Sequence, residues 1–183
     1  QLTVKPHEAA RQPLTLVPSY PDLPMERVFP AQEQTDIPMV FCREVGKGRV
    51  VYFPMDLDRT FWEVLSEDHL VLLKNAVLWA MDEAQPMTVA GPGLLDIAYW
   101  RQAKSLSAHL VNMNNPMFMK GPYREMIPAG PYTVSLTIPD GARVGAVKLL
   151  ESGIVPKTQA HGAQLVVEVP QVRLHEVVAV DLA

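Results

Sequence analysis

The chain has 183 residues, 48% of them apolar and 20% charged, which is ordinary globular composition, ample for a core and far from disorder. Its net charge of −4 is unevenly placed: residues 1–85 carry 8 basic and 13 acidic side chains, and residues 86–183 carry 8 and 7. Neither half has the basic stripe that DNA or RNA requires, and no apolar run approaches the roughly 18 residues of a membrane span, so no nucleic acid and no membrane is expected as partner.

In chain order, nothing near Gln1 has the form of a signal peptide, because Lys5, His7, Glu8 and Arg11 interrupt any apolar core. A chain that opens on Gln is expected to be processed or excerpted. Residues 1–38 are rich in proline (Pro6, Pro13, Pro18, Pro21, Pro24, Pro30, Pro38) and show no sustained period. Proline fixes φ and removes backbone donors, so this stretch reads as an extended segment with turns. Residues 39–44 and 49–54 then form a hairpin, with Gly46 and Gly48 supplying positive φ and Lys47 at its tip. Val50 to Phe53 is apolar on both faces, as in an interior strand. Cys42, the only cysteine, lies in the first strand of the hairpin as buried packing. It excludes an internal disulfide and a cysteine-based zinc site, and it fits a reducing, cytoplasmic compartment.

A loop loaded with charge and aromatics follows, carrying Asp56, Asp58, Arg59 and Trp62. Ser66 is read as a helix N-cap, with Glu67 and Asp68 in the first turn complementing the helix dipole. Leu70, Leu73, Ala76, Val77, Ala80 and Met81 recur at helical spacing and predict one amphipathic helix to about Glu83. Beyond Pro86 the period changes. Short β-rich runs near 87–90, 94–100, 105–112, 132–138, 146–150, 164–169 and 175–181 are separated by Gly, Pro, Asp or Asn. Leu106, Ala108 and Leu110 alternate with Ser105, Ser107 and His109, and such strands at regular spacing predict an antiparallel β-sandwich. The expected fold class is α+β. Residues 86–183 form a self-sufficient sandwich, and residues 1–85 the tail of a larger α/β domain.

Two stretches carry a resemblance. The run Val45–Trp62, with its G-K-G turn and V-V-Y-F strand, resembles the closing part of the β-galactosidase trimerisation domain, a flavodoxin-like, amidotransferase-like module of multidomain glycoside hydrolases. The run His109–Pro128, read H-L-V-N-M-N-N-P-M-F-M-K-G-P-Y-R-E-M-I-P, is similar to a segment near the C-terminus of glycosyl hydrolases that place a catalytic barrel first, a trimerisation-like domain next and a small β-domain last. With Tyr52–Glu63 and Gly91–Asp96, the similarity extends over roughly residues 18–182 in order. The resemblance implies a non-catalytic accessory and assembly region, whose partners are an upstream catalytic domain or further copies of the chain. A catalytic barrel would itself need about 250 residues.

Candidate chemistry is sparse. Asp56, Asp58 and Glu63 are the residue types of a glycosidase carboxylate pair, but turn capping and pairing with Arg59 account for them better. No Gly-x-Ser-x-Gly elbow is present, and Ser66 and Ser105 sit in capping and strand contexts. The five histidines, His7, His69, His109, His161 and His175, lack metal-ligand spacing, so neither metal nor cofactor is expected. Trp100, Asn112, Asn114, Asn115, Tyr123 and Arg124 have the amides and rings of a sugar-contacting surface, which makes an oligosaccharide-binding module the alternative. Met117, Phe118 and Met119 read as an adaptable contact surface for another domain or subunit. A small carboxylate-dependent hydrolase is the third reading.

Overall fold

The computed structural model describes residues 2–18, 24, 26, 28, 34–114 and 125–183. It is an α+β chain of two compact units, Gln1–Glu83 and Ala84–Ala183.

In the first unit, β1 (Phe41–Val45) and β2 (Gly48–Tyr52) form the expected hairpin, paired from Phe41–Tyr52 to Val45–Gly48. Gly46 turns the chain at φ +60°, whereas Gly48 opens the strand and needs no positive φ. Arg11, from the proline-rich segment, is joined to Cys42 of β1 by reciprocal backbone bonds of 2.8 and 2.9 Å. Cys42 is half-buried rather than fully packed. β2 is not an interior strand among the described residues: Val50 is 47% exposed and Tyr52 41%.

Two helices follow where one was expected. The charged loop winds into α1 (Leu57–Val64), ended by Leu65 in the left-handed region, and α2 (Glu67–Met81) succeeds it. Ser66 holds the N-cap position of α2, but its hydroxyl makes no capping bond. The helix is apolar around much of its circumference and has no fully buried residue; Leu70, Val71, Val77 and Met81 all face solvent. Arg49 secures its C-terminal end, donating to the Trp79 carbonyl at 3.2 Å and pairing with Asp82 at 2.6 Å. A cation at that end also complements the helix dipole.

Among the described residues the second unit is a β-sandwich of eight strands. β4 (Leu95–Arg101), β5 (Ser105–Asn112), β10 (His175–Leu182) and β7 (Val144–Leu149) form one sheet in that order. β3 (Met87–Ala90), β6 (Tyr132–Thr137), β9 (Gln164–Val169) and β8 (Thr158–His161) form the other, and every pairing is antiparallel. Strand alternation builds the core: Leu106, Leu110, Leu149, Val178 and Val180 from the first sheet meet Val134, Leu136, Leu165, Val167 and Val169 from the second. Each such side chain, taken from water, contributes about 1.5–3 kcal/mol before chain entropy is set against it. β8 was not foreseen, because its four residues are all exposed and only its ladder to β9 defines it.

Candidate functional site

The sandwich loops converge where β5, β6 and β10 meet their connections, and Asn112 ties them together. It is 4% exposed. Its Nδ2 donates to the carbonyls of Ile127 (2.7 Å), Val172 (3.2 Å) and Arg173 (2.7 Å). Its Oδ1 accepts from the backbone N–H of Asn114 at 2.9 Å and from Asn114 Nδ2 at 2.8 Å. Asn114 then grips Leu94 as a neighbouring strand would, accepting its N–H at 2.7 Å and donating to its carbonyl at 3.0 Å. Both amides are thereby engaged inside the fold.

Beside this clamp lies a cleft of about 630 Å³, with Met126, Glu151, Gln171, Arg173, His175 and Glu176 among its walls. Glu176 is 2% exposed and holds the adjoining turn: its carboxylate accepts the N–H groups of Glu151 (2.9 Å), Ser152 (3.1 Å) and Val177 (2.9 Å). Three backbone donors on one carboxylate satisfy the buried charge. Tyr132 closes the other side of the clamp, donating to the Pro92 carbonyl at 2.9 Å. Burial pushes its phenol above the ordinary value of 10.0, and the Asn114 side chain pulls against that shift.

On the outer face of the β4–β5–β10–β7 sheet, Trp100 stands opposite Ser107 and is 61% exposed. One row along, His109 and His175 stack with ring centroids 5.4 Å apart and 21° between planes.

The remaining anticipated residues lie apart from this cleft. Asp56 precedes α1 and receives the Thr60 N–H and hydroxyl on its backbone carbonyl at 3.0 and 2.8 Å. Arg59 pairs with Glu63 at 2.9 Å and with Asp56 at 4.0 Å, and Asp58 occupies the first turn. Trp62 is 67% exposed. Asn115, Met117, Phe118, Met119, Tyr123 and Arg124 lie outside the described residues.

Glu151, Arg173, His175 and Glu176 were not singled out as a group from the sequence. One indication was available. Glu176 takes an inward position in the alternation that buries Val178 and Val180, and a charge there demands partners.

The fold is thus that of a two-unit α+β chain ending in a β-sandwich whose loop end carries a polar cleft. No protein-family model and no curated protein matches the chain. Among solved structures it is similar to alpha-L-fucosidase isoenzyme 2 from Paenibacillus thiaminolyticus, with a TM-score of 0.63 and 20% identity, over 84% of this chain and 23% of that one. The likeness is one of fold, and the chain spans under a quarter of the length of the fucosidase chain.

Proposed function

We propose that this chain is a non-catalytic accessory and assembly region of a glycoside-hydrolase-like protein, packing against a catalytic barrel or a second copy of itself. The carrying observation is the apolar surface of the first unit. Trp62, Val64 and Leu65 are 67%, 65% and 68% exposed, and Val77 of α2 and Val50 of the hairpin add to it. Several large apolar side chains exposed on one unit support an interaction surface there. The fold likeness to part of a fucosidase chain supports the glycoside-hydrolase setting. The similarity of the hairpin segment to the trimerisation domain supports an assembly role.

The test has two arms. The chain is assayed on aryl-fucosides and aryl-galactosides beside an Asp56→Asn variant, and no turnover is expected from either. Sedimentation velocity then compares the chain with Trp62→Ser/Leu65→Ser, which is expected to self-associate less or to lose docking to a barrel domain. Turnover abolished by Asp56→Asn would overturn the reading. So would a mass and docking affinity indifferent to the double change.

Trp100 favours a second reading, a carbohydrate-binding module, because an exposed indole on a sheet face offers a stacking platform for a sugar ring. Saturable oligosaccharide binding that Trp100→Ala abolishes would select it.

A further inference from the structure

We propose that His109 and His175 form a binding site for a divalent transition-metal cation, with Zn2+ as the fitting probe, on the outer face of the sandwich beside the cleft. The two residues are 66 positions apart in sequence and sit diagonally on neighbouring antiparallel strands, His109 opposite Val177 and His175 opposite Val111. Nδ1 of His109 and Nε2 of His175 are 3.3 Å apart. Zinc–imidazole bonds of about 2.0–2.1 Å meeting at a tetrahedral angle put two ligand nitrogens about 3.3 Å apart, so the pair already has the spacing of two corners of the polyhedron.

The other ring nitrogen of His109 has a partner as well. Nε2 lies 3.5 Å from Ser107 Oγ, the next outward residue along β5. An Nε2–H donated to that hydroxyl leaves Nδ1 bare and aimed at His175, the arrangement by which an outer partner orients a metal-ligating histidine. A cation takes His175 in the neutral tautomer that carries its proton on Nδ1, so that His175 Nε2 and His109 Nδ1 both offer lone pairs. Stacking of the half-buried rings and their seats on two paired strands hold both ligands near this geometry, which lowers the ordering cost of binding.

Among the described residues no group of three or more His, Cys, Asp or Glu side chains converges. Water therefore completes the coordination, and the site is exchangeable and open rather than a closed structural centre. His175 also lines the cleft, so a volume able to admit water or a small ligand adjoins one of the two ligands. Two imidazoles select Zn2+, Ni2+ and Cu2+ over Mg2+ and Ca2+, which prefer oxygen.

The experiment is calorimetric titration of the full chain with Zn2+, alongside Mg2+. One equivalent of Zn2+ is expected to bind and Mg2+ not to. His109→Asn and His175→Gln are each expected to weaken binding by more than about tenfold, and Ser107→Ala by about tenfold. His161→Asn, on exposed β8, leaves the affinity unchanged. Spectra of the unsubstituted chain with 15N-labelled histidines give an answer independent of any variant's folding: Zn2+ is expected to shift Nδ1 of His109 and Nε2 of His175 together. Shifts confined to other histidines, unaltered binding in the folded His109→Asn and His175→Gln variants, or no Zn2+ uptake by the unsubstituted chain would each overturn the proposal.

Discussion

Oδ1 of Asn114 fills the space in which a Cβ at Gly93 would lie. The same atom accepts the Leu94 N–H, and Gly93 itself sits at φ +74°. The clamp at the loop end of the sandwich is therefore built around the absence of a side chain. Gly93→Ala is expected to lose about 2–3 kcal/mol, from the left-handed backbone and the displaced Asn114 together. Asn112→Ala should cost a similar amount, because buried carbonyls lose their donors. Urea unfolding checks both, and stabilities within about 0.5 kcal/mol of the parent chain would refute the clamp.

Glu176→Gln replaces one acceptor oxygen with a donor that faces backbone N–H groups. The expected loss is about 1–3 kcal/mol. Faster hydrogen exchange should appear first at the amides of Glu151 and Ser152, the two that this carboxylate anchors from outside its own strand. Exchange rates unchanged at those amides would show that the turn holds without it.

Tyr132 gives the molecule an alkaline limit. Burial raises its phenol above 10.0, so the folded state keeps the proton more tightly than the unfolded chain. The resulting stability is fully present below the unfolded value and is lost as pH rises through the folded one. The melting temperature is expected to fall above about pH 10, and Tyr132→Phe should flatten that fall. Parallel profiles for the two proteins would exclude the phenol as the cause.

Arg49 joins the hairpin to α2 through Asp82, the Trp79 carbonyl and the Trp79 ring, whose centroid lies 5.3 Å from its guanidinium carbon. Arg49→Ala is expected to cost about 1–2 kcal/mol and to alter Trp79 fluorescence. Arg49→Lys should recover only part of it, since an ammonium cannot fork and stack at once. Full recovery by lysine would reduce the contact to charge alone.

Residues 84–183, expressed alone, are expected to melt in one cooperative transition, because the whole sandwich core lies within them. A broad, non-cooperative melt would mean that the first unit completes that core.

β5 and β6 were legible because one face of each is apolar and the other is not. In β5 the outward Ser105, Ser107 and His109 alternate with the buried Leu106, Ala108 and Leu110. A period of two writes that directly into the residue order. β8 has no apolar face, and its backbone ladder to β9 leaves no trace in side-chain chemistry. α1 escaped because Asp56, Asp58 and Arg59 were read as a charged loop, although Leu57, Phe61 and Val64 recur at helical spacing. α2 was legible as a helix from its spacing, but not in its exposure, which depends on what surrounds it.

Local order along the chain therefore determined the α+β class, the hairpin, the second helix and the sandwich, since each follows from periodicity and turn residues over a few positions. The arrangement β4–β5–β10–β7, the cleft held by Glu176 and the meeting of His109 with His175 came only from the tertiary structure. Such contacts close over tens of residues, and a periodicity that spans a handful carries no information about which distant strand a given face will meet.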